Sequence, residues 1–248
     1  MTDSTAEPRP AAQTGTRWDD YFEIFFKPSE VFRRREGTNP FLPLLVLVGA
    51  TIVLYFATRS AMQPIMDAEF ARSAAQMARQ NPQITPEQME QGRGMMQTFA
   101  GLAIVFATFV TPLLIGVVLW LVGKGAGSVA TLGSAIVVAV FAYFPRLLEW
   151  LVSAILALVT PEGEIRSRYD ATLGVGRFLD PATTSPLALA FLGRIDLFSI
   201  WVTVLLAIGI KVVGRIGTVP AAIVAALVWL IGALPAMMGA MGSAAAGG

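Results

Sequence analysis

Neither cysteine nor histidine occurs in the 248 residues, and only 14% of them carry a charged side chain. The first absence removes disulfides, thiol nucleophiles, imidazole general bases and the usual ligands of zinc, haem and iron–sulfur clusters, so no metal and no cofactor is expected. The scarcity of charge, with 55% hydrophobic residues and a mean hydropathy of +0.64, departs from soluble domains and describes an integral membrane protein. A net charge of +1 supplies no concentrated basic face, so no nucleic-acid partner is implied. Lysine is also scarce, with 3 Lys against 15 Arg, the bias of a GC-rich and here bacterial genome.

Residues 1–16, MTDSTAEPRPAAQTGT, are small, polar and proline-bearing, and read as a disordered cytoplasmic tail with no apolar core of a signal peptide. From Arg17 the text becomes RWDDYFEIFFKPSEVFRRRE, where Trp18, Tyr21, Phe22 and Phe25 fall on one helical face and Arg33, Arg34 and Arg35 follow. Rings beside cations predict an amphipathic helix over 17–40 in the membrane interface, with the aromatics at headgroup depth and the bases on anionic lipid. The other use of such a segment is a short cytoplasmic helix packed on a bundle.

Crossing ~30 Å of hydrocarbon takes about 20 apolar residues. Five stretches qualify, about 41–62, 98–122, 131–159, 195–213 and 218–241. The third is longer than one span and carries Pro145 near its middle, which leaves one kinked helix or two half-helices, and four or six crossings, open. The Arg33 to Arg35 cluster beside the first span places the N-terminus in the cytoplasm and the C-terminus outside.

Thr85, Pro86 and Gln88 read as an N-cap, first-turn proline and capping-box partner, so the loop after the first span should form two short helices joined at Asn81-Pro82. The loop over 160–186 has turn signals and little periodicity, and the tail over 242–248, GSAAAGG in its last seven residues, should be disordered.

The stretch IDLFSIWVTVLLAIGIKVVGRIGTVPAAIVAALVWLIGAL from Ile195 has an Asp opening a helix, an aromatic and a Trp one turn on, a Gly near the helix end and a basic turn into an Ala-rich span. With FFKPSEVF near the start and YFPRLL in the third span, it resembles the bacterial branch of the YIP family, the Ypt/Rab-interacting five-span membrane proteins. The resemblance implies a five-helix membrane protein with a cytoplasmic N-terminus, and it marks Asp196, Phe198, Trp201 and Gly209 as family-pattern residues. The Asp-Leu-Tyr-Gly-Pro motif of eukaryotic members is missing, and Asp196-Leu197-Phe198 does not replace it. Rab-type GTPase binding is therefore not carried over.

Most motifs have ordinary uses. GKGAGS at Gly123 to Ser128 lacks phosphate-loop spacing and reads as a tight turn; Tyr169-Asp170 lacks the second half of an intramembrane aspartyl protease. Methionines such as Met62, Met66 and Met238 suit adaptable packing before Cu(I) binding. The polar set Pro145, Arg146 and Glu149 differs, because charges inside an apolar run cost about 2.5–3.5 kcal/mol each on insertion scales. Spaced three apart, Arg146 and Glu149 share a helix face, and Arg146 is expected to satisfy both Glu149 and backbone acceptors freed by Pro145. A broken helix with paired charges also marks the sites of some transporters.

The expected architecture is all-α: a bundle of five transmembrane helices behind an N-terminal interfacial helix, close-packed through Ala221, Ala222, Ala225 and Ala226. Its expected role is non-enzymatic, membrane-organising or adaptor work through the bilayer, other membrane proteins or itself. The alternative is a small permease or channel at the broken third helix.

Overall fold

The computed structural model describes residues 18–246 except Pro82 and Glu162. The expected tail over 1–16 and the Asn81-Pro82 joint thus lie wholly or partly outside the described residues. So do Gly247 and Gly248, whereas 242–246, expected to be disordered, continue a helix.

Among the described residues the chain is all-helical. The elements are α1 (Asp20–Glu23), α2 (Pro28–Arg35), α3 (Phe41–Thr58), α4 (Gln63–Gln80), α5 (Pro86–Gly125), α6 (Leu132–Ala142), α7 (Pro145–Val159), α8 (Pro186–Leu192), α9 (Leu197–Gly214), α10 (Thr218–Ile231) and α11 (Leu234–Ala246). The loop over 160–186 forms two 3-10 turns, Arg168–Ala171 and Val175–Phe178, as its turn-rich text suggests. Five stretches are long and apolar enough to cross a membrane, those of α3, α5, α6 with α7, α9, and α10 with α11.

Helix α6 is the centre of the bundle. From Ser134 to Ala142 every residue except half-buried Ile136 is buried. Glycines let its neighbours close on it from two sides: a Cβ on Gly116 of α5 would lie 2.7 Å from Ile136 Cα, and one on Gly209 of α9 would lie 2.2 Å from Val138 Cγ1. Lipid tails are as apolar as leucine, so helices in a bilayer gain from close backbone approach rather than from leaving water. Helix α10 meets α9 through Ala221, Val224, Ala225 and Val228, all buried. Ala222 and Ala226, expected on that seam, are exposed, because the contact follows one 3.6-residue face.

Three expectations change. First, the third span is two half-helices joined at Tyr143 and Phe144. Arg146 does not repair this break: the Tyr143 and Phe144 N–H groups donate to the carbonyls of Val140 and Phe141 at 3.2 and 3.3 Å, a 3-10 closure. Pro145 opens α7, where no N–H is needed. Second, the helix capped by Thr85 is not short. Thr85 Oγ1 accepts from Gln88 N–H and Gln88 Oε1 from Thr85 N–H, as expected, but the helix then runs 40 residues, about 60 Å, through Gly92 and Gly94 and into the second span. Third, the last span breaks at Gly232 and Ala233.

The N-terminal segment is also not one continuous helix. Lys27, held before Pro28 at φ −133° and ψ 51°, ends the first turn and separates α1 from α2. The two form a hairpin, since Asp20 at the start of α1 binds Arg34 and Arg35 at the end of α2. Phe25 meets the Trp201 ring edge-on at 5.6 Å, and Glu36 pairs with Arg215 at 3.5 Å, so α2 runs alongside α9 in the same direction.

Candidate functional site

A cavity of about 340 Å³ lies between α3, α5 and α7. Apolar walls come from Leu47, Leu54, Ile104, Ala107 and Leu147, and polar groups from Thr51, Thr108, Tyr143, Arg146, Glu149 and Ser153. Pro145 creates the arrangement by starting a new helix, which points the face of Arg146, Glu149, Trp150 and Ser153 at α3 and α5.

Arg146 donates through Nη1 to Glu149 Oε2 and through Nη2 to Ser199 Oγ at 2.9 Å, while its Nε is buried with no acceptor among the described residues. Leaving such a donor unsatisfied costs about 1–3 kcal/mol, so this atom calls for a reason. Trp150 Nε1 donates to Thr58 Oγ1 at 2.8 Å, fixing α7 to the end of α3. Ser199 is the third residue of α9 and Thr58 the last of α3. The charged pair therefore sits towards the loop end of these helices, not at their midpoint as counting along the third span suggests. Arg146 and Glu149 keep 28% and 22% of their side-chain surface, both lining the cavity.

Two more charges stand nearby. Asp196 is buried and caps α9, its Oδ1 accepting from the N–H groups of Phe198 and Ser199 at 2.9 Å each. Arg194 lies over the Trp229 ring at 5.6 Å; burial, then repulsion from Arg146, lowers its pKa. Sequence reasoning named Arg146 and Glu149 but not Tyr143, Trp150 or Ser199. The position of Ser199, three residues after a helix-capping Asp, was the signal for its facing the same end.

The aromatic face expected at the N-terminus divides. Tyr21 is buried, stacked on Phe141 at 5.6 Å and against Phe144 at 5.3 Å, and Phe25 packs on Trp201. Trp18 and Phe22 are exposed, joined by Phe26 at 84% exposure. Of the three arginines, Arg33 is exposed; Arg34 binds Asp20 and Glu23, and Arg35 binds Asp20 at 2.7 Å while lying over Phe141. Desolvation raises the Tyr21 pKa, with Arg35 pulling the other way.

The family-pattern residues have physical reasons. Asp196 caps, Phe198 is buried and stacked on Trp201, Trp201 receives the N-terminal hairpin, and Gly209 admits Val138. GKGAGS is a tight turn with Gly127 at φ 81° and Lys124 Nζ donating to the Ser128 carbonyl, and Asp170 is held by the Ser167 capping box.

No curated protein and no solved structure matches the chain. A family model described as the Yip1 domain matches residues 22–239, a stretch that begins in the N-terminal hairpin and ends in α11. With the match covering four apolar spans and most of the fifth, the chain belongs to the Yip1-domain family of membrane proteins.

Proposed function

We propose that this chain is a non-enzymatic membrane-organising or adaptor protein that works through lateral contacts in the bilayer, with other membrane proteins or with itself. The observation that supports this reading is the packed partition formed by α6. Val137, Val138, Val140 and Phe141 are buried to 2% exposure or less in one core cluster with Leu205 and Ile210 of α9, and no residue of α9 lines the cavity. A cavity on one side of a packed core suits holding a neighbour better than passing a solute. Arg146 and Glu149 neutralise each other, which suits binding better than proton transfer.

The setting we propose is a bacterial cytoplasmic membrane with the N-terminus inside. The Arg33 to Arg35 cluster supports that orientation, because topology is chosen as the chain inserts, before Arg34 and Arg35 find Asp20. The test is photo-crosslinking in native membranes from positions on α3 and α5 beside the cavity. Discrete membrane-protein neighbours, lost on filling the cavity, are expected. Solute flux in proteoliposomes that stops with Glu149→Gln would favour the permease reading instead, for which the cavity itself is the supporting observation.

A further inference from the structure

We propose that the cavity between α3, α5 and α7 takes the headgroup of a zwitterionic phospholipid, its phosphodiester on the Arg146 guanidinium and its ammonium on the Glu149 carboxylate. The proposal rests on the reading above, that this cavity faces a lateral contact in the bilayer, and adds a lipid to that contact.

Position is the first argument. The helices around the cavity turn long apolar side chains outward, among them Val53 and Phe56 on α3, Phe106 on α5 and Leu151 on α7. Acyl chains can lie on those surfaces while only the head enters. At about 340 Å³ the cavity is at the low end of small-molecule sites, sized for a polar head and not for a whole diacyl lipid.

Charge selects the class of head. On the cavity wall Arg146 is balanced by Glu149, while Arg194 and Asp196 lie nearby without lining the cavity, Asp196 being committed to capping α9. A site of balanced sign favours a ligand with one charge of each sign over a net anion or cation. The donor for phosphate is in place: Arg146 gives two hydrogen bonds to protein and has Nε unspent, and a guanidinium fork matches phosphate geometry. Because Nε is closed off from the cavity, a phosphate contact requires the side chain to turn towards it, rearranging its bonds to Glu149 and Ser199. Acceptors for the ammonium are in place too. Thr51 spends its hydroxyl proton on the Leu47 carbonyl, which leaves oxygen lone pairs facing a cavity that Glu149 and Tyr143 also line. The Trp150 ring adds a face suited to a cation.

The same phosphodiester and ammonium occur in water-soluble glycerophosphoethanolamine, so the experiment separates the two sources. Full-length protein in detergent is titrated with phosphatidylethanolamine, phosphatidylglycerol or glycerophosphoethanolamine, and read by native mass spectrometry and thermal shift. One phosphatidylethanolamine is expected to stay bound and raise Tm, with the other two at least tenfold weaker. Glu149→Gln should weaken that binding at least tenfold. So should Ala107→Phe, which fills the cavity from the α5 wall and leaves the ion pair intact, and which decides the matter if Glu149→Gln does not fold. Phosphatidylglycerol binding as tightly, binding unchanged in Ala107→Phe, or equal binding of the soluble head would each overturn the proposal. Crosslinked protein neighbours that persist after such a failure would leave the adaptor reading standing.

Discussion

Gly209 and Val138 touch where α9 crosses α6: a side-chain carbon on Gly209 would sit 2.2 Å from Val138 Cγ1. On the opposite side of α6, a carbon on Gly116 would sit 2.7 Å from the Ile136 Cα, which is backbone. The Gly209 carbon would meet both methyls and the Cβ of Val138, a side chain that gives way at a cost, whereas the backbone of a packed helix yields less. Gly116→Ala is thus expected to destabilise more than Gly209→Ala, with overpacking of about 1–3 kcal/mol at Gly209. Gly92→Ala is the control, since nothing lies within 4 Å of it and the change should gain up to about 1 kcal/mol of helix propensity. Thermal unfolding in one detergent orders the three.

Asp20 joins the N-terminal hairpin, binding Arg34 and Arg35 from a site with 1% of its side chain exposed. Removing one partner of a buried ion pair costs about 3–5 kcal/mol, and the 27% exposure of Arg34 places this case at the lower end. Asp20→Ala should open the hairpin and speed tryptic cleavage after Arg33 several-fold, with Asp20→Asn intermediate. Unchanged cleavage would mean that Ile24, Val31 and Phe32, each fully buried, hold the hairpin without the ion pair.

Tyr21 makes hairpin docking sensitive to alkali. Burial raises its pKa above 10.0 when docked, so the undocked form gives up its proton first. Docking is then constant below pH 10 and weakens as pH rises through the docked value. With no native cysteine, spin labels at Ser29→Cys and Val204→Cys report the α2–α9 distance directly. The distance should broaden above pH 10 in the parent and not in Tyr21→Phe, which also removes a buried hydroxyl that has no partner among the described residues.

The five apolar stretches were legible because hydrocarbon thickness leaves little freedom in their length. The charged pair was legible because Arg and Glu stand out in an apolar run. The hairpin was not: the spacing of Trp18, Tyr21, Phe22 and Phe25 fits one helical face, and nothing local says that Asp20 will meet residues 14 and 15 positions away. The fusion of the Thr85-capped helix with the second span was missed for a related reason. Polar text suggested a boundary near Thr98, yet no cap lies there, and the helix carries Gly92, Gly94 and Pro112 inside it before ending at Ala126. The role given to Arg146 at the break failed because a 3-10 closure needs no side chain.

An odd number of spans separates the two ends of the chain. Reporter fusions are expected to place residue 16 in the cytoplasm and residue 245 outside, with the Glu164 loop also outside. Both ends on one side would mean that α6 with α7, or α10 with α11, returns at its two-residue joint instead of crossing.

Arg146 and Glu149 should behave as one unit. Arg146→Leu strands the Glu149 carboxylate in an apolar wall and frees Ser199; Glu149→Leu strands a guanidinium whose Nε is already unpartnered. Each single change should therefore destabilise by more than the pair contributes, because what is lost includes the cost of the orphan left behind. The double change removes both charges, leaves two apolar side chains on α7 and should recover part of the loss, for a coupling of about 0.5–3 kcal/mol. Ser199→Ala refines the cycle. If Arg146 is positioned from α9, this change should reduce the coupling, because the guanidinium then lacks the contact that aims it at Glu149. Additive losses in denaturant unfolding of the full-length protein would show that the two charges stabilise the fold separately, and the lipid-headgroup site would lose its balanced pair.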